Sequence, residues 1–133
     1  MDIAKIKVSE VMSRGVVTVG LEARLEEILN QLLENKVHAV IVTAKDGEFM
    51  GVVSHSDIIE TLARRGQKIF ELTAEDIMCP KPYYVKGDAS LKEAAVKMIN
   101  NGVHRLIVFS SHMGRLLPVG ILSAIDIVRV VSQ

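Results

Sequence analysis

The chain carries nearly the same passage twice, and a duplication of this length constrains the fold more than any single residue does. Asn35-Lys36-Val37-His38-Ala39-Val40-Ile41-Val42 is echoed 66 positions later by Asn101-Gly102-Val103-His104-Arg105-Leu106-Ile107-Val108. Gly51-Val52-Val53-Ser54-His55-Ser56-Asp57-Ile58 returns as Gly120-Ile121-Leu122-Ser123-Ala124-Ile125-Asp126-Ile127, now 69 positions on, so the second copy has gained three residues between the blocks. A period this long, present only twice, predicts a pseudo-symmetric pair of α/β units that complete one another's core rather than a solenoid.

Periodicity assigns the elements. Leu21, Leu25, Ile28, Leu29, Leu32 and Leu33 fall at helical spacing, predicting an amphipathic helix from Leu21 to about Asn35, with a twin from about Ala89 to Asn101. Ser90 with Glu93 fits a capping box, and Asn101-Gly102 fits a left-handed helix stop. Each helix runs into a short apolar, β-branched stretch, Val37 to Thr43 and Val103 to Phe109, which reads as a buried strand. Lys45-Asp46-Gly47 and the longer Ser110-Ser111-His112-Met113-Gly114 then predict hairpins into Phe49–Val53 and Leu117–Leu122. Second helices open at Ser54 and Ser123. With short opening strands at Val16–Val19 and Tyr83–Val85, each repeat is β-α-β-β-α, the first over residues 1–66 and the second over 67–133. Gly66 to about Ala74 is the one stretch that reads as a linker. Repeats of this size are too small to be stable alone, so the two are expected to form one α/β (α+β) module.

Composition narrows the partners. Sixteen basic and sixteen acidic residues cancel and no segment concentrates Lys or Arg, which removes the electrostatic basis for a nucleic-acid or anionic-membrane partner. The 49% apolar content argues for a substantial core. No apolar run is long enough to span a bilayer, and Met1-Asp2-Ile3-Ala4-Lys5 lacks the layout of a signal peptide, so a cytoplasmic location is expected. The one cysteine, Cys79, forms no intramolecular disulfide and no multi-cysteine metal site; it reads as a small, half-buried loop residue.

The order Val-Met, short strand, helix, Val-His-Xaa-(Leu/Val)-Ile-Val strand, then Gly-h-h-Ser-Xaa-Xaa-Asp (h apolar) resembles the CBS domain, named for cystathionine β-synthase. The resemblance covers residues 8–131 as a tandem pair. It implies a Bateman module: two repeats about a pseudo-twofold axis, with two clefts that in many relatives hold adenosine-containing ligands, and a tendency to pair into a disc-shaped homodimer.

Ser-Xaa-Xaa-Asp ahead of an apolar helix is first of all a capping box, and capping alone accounts for both copies. A helix N-terminus also attracts phosphate, and a carboxylate has two oxygens to offer a ribose diol. The resemblance implies that Ser123 and Ser54 meet ligand and that Asp126 and Asp57 hold ribose. His38 and His104 occupy equivalent strand starts, where imidazole charge responds to an anion near neutral pH. Arg105 suits phosphate oxygens through its planar fork, or else is a strand-end Arg bonded to a nearby carboxylate. Ala39 stands at its place in the first repeat.

If each cleft takes its adenine wall from the opposite repeat, as in the family, the favoured site combines Met12, Gly15, Val17, Val37, His38, His104, Arg105, Ile121, Ser123, Ile125 and Asp126. The weaker one combines Val52, Ser54, Ser56, Asp57, Ala39, Met78, Lys81, Tyr83 and Val103, where Tyr83 either stacks on a base or fills the cleft. Met12 and Met78 read more simply as packing residues.

Phosphate-loop, nucleophile-elbow and metal-spaced motifs are all missing from the sequence, so no catalytic residues, metal or required cofactor are expected. The expected function is a stand-alone regulatory module that senses an adenine nucleotide, AMP-like but with ADP, ATP or NAD also open, and signals to a separate effector protein. The alternative is a dimerisation and docking scaffold with vestigial clefts. Ile58, Ile59, Leu62, Ile127, Val128 and Val131 on the closing helices predict a homodimer interface.

Overall fold

The computed structural model describes residues 1–112 and 115–133, with side chains described outside 111–116. In chain order the strands are β1 (Ser13–Arg14), β2 (Thr18–Gly20), β3 (Ala39–Thr43), β4 (Phe49–Ser54), β5 (Tyr84–Lys86), β6 (Arg105–His112) and β7 (Arg115–Ser123). The α-helices are α1 (Leu25–Glu34), α2 (His55–Arg65), α3 (Ala74–Ile77), α4 (Leu91–Asn101) and α5 (Ala124–Val131). They divide into two compact units, Val17–Pro82 and Met1–Val16 with Tyr83–Gln133.

In the Val17–Pro82 unit, β2 pairs parallel to β3 and β3 antiparallel to β4. Helix α1 crosses between the two parallel strands and buries Leu25, Ile28 and Leu32, one face at i, i+3 and i+7, beside Val40, Val42 and Val53. The helix begins four residues later than its periodicity suggests. Ala23 N–H closes a turn on Gly20 O at 3.2 Å, and Arg24 is extended, bridging to Thr73 and donating to Glu71 O at 2.9 Å.

The stretch from Gly66 to Ala74, expected to be a linker, is folded. Gly66–Glu71 forms a 3-10 helix, and Ile69, Leu72 and Ala74 are buried in the core of the unit. Among polar neighbours these look like a tether in sequence, yet Ile69 is carried inward by the 3-10 helix, Leu72 by its extended C-cap and Ala74 by the start of the next helix. Helix α3 follows, opened by a capping box in which Asp76 Oδ2 accepts from the Thr73 N–H and hydroxyl, both at 3.0 Å. Those two bonds, the backbone one first, hold the Asp76 carboxyl below its ordinary value of 3.8.

The other unit is built alike. Strand β5 pairs parallel to β6, β6 antiparallel to β7, and β7 also pairs antiparallel with β1, giving the order β1-β7-β6-β5. Helix α4 buries Leu91, Ala94 and Met98, the counterparts of Leu25, Ile28 and Leu32. Ser90 Oγ accepts from Glu93 N–H at 3.1 Å, which is half of the expected capping box, and Gly102 ends the helix with φ 62° as expected. Its counterpart Lys36 sits at φ 54° without glycine's freedom. The N-terminal segment plays here the part that residues 73–79 play in the first unit. Val8 N–H donates to Ala89 O at 2.8 Å, as Ala74 N–H does to Ala23 O, also at 2.8 Å.

Ser110, Ser111 and His112, expected in a turn, continue β6, and Arg115 and Leu116 extend β7, so the three added residues lengthen the hairpin. Met113 and Gly114 of that expected turn lie outside the described residues. Among the described residues no helix is long and apolar enough to cross a membrane.

Candidate ligand site

One polar cluster lies at the C-terminal end of β7. Arg105 and Ser123 are directly opposed in the β6–β7 register, so their side chains share a face. Ser123 is the extended N-cap of α5: its N–H donates to Asp126 Oδ2 at 2.9 Å, and its Oγ accepts from Asp126 N–H at 3.4 Å. Oδ1 is outside this box, as is the Ser123 hydroxyl proton. One turn of chain away, β1 lies on β7, with Ser13 opposite Ile121 and Arg14 opposite Gly120.

Gly120 is there for contact rather than flexibility. A Cβ at that position would meet the Ser13 carbonyl oxygen and lie 2.9 Å from Met12 Sδ. Gly15 then leaves the strand at φ 79°, a left-handed conformation that glycine adopts without strain, and its N–H donates to Val119 O at 2.9 Å. One unit therefore gathers Met12, Gly15, His104, Arg105, Ile121, Ser123, Ile125 and Asp126. Val17, Val37 and His38 belong to the other, where Val17 and Val37 pack against its core.

In the Val17–Pro82 unit the same skeleton carries different chemistry. Ser54 opposes Ala39 in the β3–β4 register, so no guanidinium is present at that place. Ser54 N–H donates to Asp57 Oδ2 at 2.8 Å, and the Ser54 hydroxyl lies 2.8 Å from the same oxygen and 3.3 Å from Ser56 Oγ. The hydroxyl proton that Ser123 keeps is thus held locally at Ser54. Met78 packs on Gly51, and Val52 forms a bridge with Cys79, the counterpart of β1 on β7. Lys81 is exposed in this unit; Tyr83 and Val103 belong to the other, with Val103 on its core.

The family model for the CBS domain matches this chain twice, over residues 8–64 and 74–133. The chain belongs to the CBS-domain family. As a tandem CBS pair it is similar to an uncharacterized protein of Methanopyrus kandleri, 27% identical over 94% of this chain and 62% of that protein. The chain spans 62%, 43% and 23% of the lengths of three curated relatives that it matches. Among solved structures, an uncharacterized conserved protein from Pyrococcus horikoshii shares the fold, with a TM-score of 0.86 at 21% identity, covering 100% of this chain and 96% of the other. A second, CBSX2 in complex with AMP, is 26% identical with a TM-score of 0.76, covering 96% of this chain and 97% of that one.

One polar residue of the CBS pair escaped the sequence reading. His55, the first residue of α2, carries a ring whose Nδ1 lies 3.5 Å from Nδ1 of His38, with ring centroids 5.0 Å apart. The backbones are tied as well, His55 N–H donating to His38 O at 3.1 Å. The second repeat repeats that backbone bond, Ala124 N–H to His104 O at 2.8 Å, but has alanine in place of the second imidazole. Between Ser54 and Asp57, His55 reads as a spacer; only the 39-to-54 register brings it opposite His38.

Proposed function

We propose that this CBS pair is a regulatory module that binds an adenosine phosphate, AMP-like in charge and size, at the Ser123/Asp126 helix start, and that its ligand state is read by a separate protein. The observation that carries the reading is the cross-strand placement of Arg105 beside Ser123. A guanidinium, a hydroxyl whose proton is outside the capping box and the first turn of α5 are thereby on one face, the donor set a phosphate takes. Asp126 Oδ1 serves the ribose diol, and the Met12–Gly15 segment on β7 supplies the wall for the purine. The relative CBSX2, solved with AMP, supports the choice of ligand class. Catalysis plays no part in this reading; the output is a population shift between two states that bind nucleotide differently.

Melting temperature with and without AMP tests it. At a ligand concentration 100 times Kd, linkage supplies about 2.7 kcal/mol, a rise of roughly 10 K for a chain of 133 residues. Asp126→Ala loses most of that rise and Asp57→Ala much less; equal loss in both, or no rise in the wild type, overturns the site. We further propose that two copies pair through the closing helices, where Ile59, Leu62, Val128 and Val131 are 64%, 42%, 55% and 52% exposed while Ile58 is buried. Sedimentation decides this, a monomer at micromolar concentration refuting it. A dimer that ignores AMP is the outcome that favours the scaffold reading.

A further inference from the structure

The His38–His55 contact has the nitrogen spacing of a chelate. We propose that these two imidazoles form a half-site for a borderline divalent transition-metal ion such as zinc, bound through both Nδ1 atoms, with water completing the coordination sphere. Two nitrogens held at about 2.0–2.1 Å in a tetrahedral zinc site lie about 3.3–3.4 Å from each other. The Nδ1 atoms stand at 3.5 Å with both residues exposed, so modest rotation of the rings turns their lone pairs onto a common point. One Nδ1 carries the proton of the present contact; its transfer through solvent to Nε2 of the same ring frees both lone pairs and leaves each Nε2–H as an outer donor. The backbone is already organised. β3 and β4 are in register at Ala39 and Ser54, and the His55-to-His38 backbone bond fixes the next pair. Imidazole nitrogen suits zinc, nickel and copper, and disfavours magnesium and calcium. Among the described residues no group of three or more His, Cys, Asp or Glu converges on one point, so two protein ligands define an exchangeable site rather than a structural one.

Zinc alone, titrated calorimetrically into the full chain and followed by the ring 15N signals of its four histidines, tests the assignment. One ion per chain is expected, with the Nδ1 signals of His38 and His55 moving together. His38→Ala and His55→Ala each weaken binding at least tenfold; the latter places at 55 the residue that Ala124 already is, so the fold tolerates it. Ala124→His, opposite His104, adds a second ion. Unchanged zinc affinity in the His38→Ala/His55→Ala double variant, shifts confined to His104 and His112, or no second ion in Ala124→His overturns the proposal. No nucleotide is present, so the outcome is independent of the AMP reading.

Discussion

Gly51→Ala puts the packing between the Val-Met segment and the Gly-h-h-Ser strand to a direct test. The added Cβ lies 2.7 Å from Cys79 O, 2.7 Å from Met78 Sδ and 3.1 Å from Met78 Cγ. The sulfur can swing away, but the carbonyl belongs to backbone. Restoring a contact of about 3.5 Å moves the Cys79 segment by roughly 0.8 Å. That stretches the paired bonds Val52 N–H to Cys79 O, 3.0 Å, and Cys79 N–H to Val52 O, 2.8 Å, past useful length. Two hydrogen bonds at about 1 kcal/mol each, with about 1 kcal/mol of overpacking, give a loss of about 3 kcal/mol. For 133 residues unfolding entropy is roughly 0.28 kcal/mol/K, so Tm falls by about 10 K. Gly20→Ala is the control: its φ is ordinary, nothing lies within 4 Å, and it should gain about 0.5 kcal/mol through the unfolded chain. Urea unfolding of both variants measures the difference. A Gly51→Ala protein within 0.5 kcal/mol of wild type would refute the close approach.

Two further outcomes follow from local geometry. Lys36 occupies a left-handed position that costs a residue with a Cβ about 1–2 kcal/mol. Part of this returns as glycine's greater unfolded entropy, so Lys36→Gly should stabilise by about 0.5 kcal/mol in thermal melts, whereas Gly102→Ala should destabilise; a loss in Lys36→Gly would contradict the strain. The Asp76 carboxyl is depressed by the Thr73 bonds, so its contribution is full above 3.8 and is lost as pH falls through the lower folded value. Asp76→Asn should therefore be destabilised at neutral pH and nearly match wild type in acid below that range, as urea midpoints would report; an equal gap at both pH values would count against it.

The helix faces and the two closing-helix boxes, which depend on spacing along the chain, were legible in sequence. The helix faces Leu25/Ile28/Leu32 and Leu91/Ala94/Met98 follow from a 3.6-residue period, and the Ser54/Asp57 and Ser123/Asp126 boxes from a fixed offset of three. What depended on pairing across distance was not. Strand β1 has two residues and no pattern of its own; it exists because β7 offers an open edge beside a glycine. Ile69 enters a core from a 3-10 helix, Leu72 from its extended C-cap and Ala74 from the start of α3, so no single period marks the three in sequence. Thr73/Asp76 has the same offset of three as Ser54/Asp57, but it closes a stretch whose polar composition resembles a tether.

Comparison of the two copies separates residues that pack from residues that select. Gly51 and Gly120 each meet a methionine, Met78 and Met12, and a backbone carbonyl, so this contact was kept in kind on both sides of the duplication. Both helix boxes were kept as well. Divergence falls on polar positions around them: Ala39 against Arg105, His55 against Ala124, and a Ser54 hydroxyl held by Asp57 against a Ser123 hydroxyl that is not. These three changes act in one direction. The unit with Arg105 carries a guanidinium opposite its helix cap, which suits an anion; the unit with His55 sets a second imidazole nitrogen at chelating distance, which suits a transition-metal ion. Charge as such is not sorted between the copies, since Lys36 stands against Gly102 and Lys81 against Gly15; the contrast that bears on binding lies beside the two boxes, and it is the basis on which we propose an anion at one helix start and a metal ion at the other.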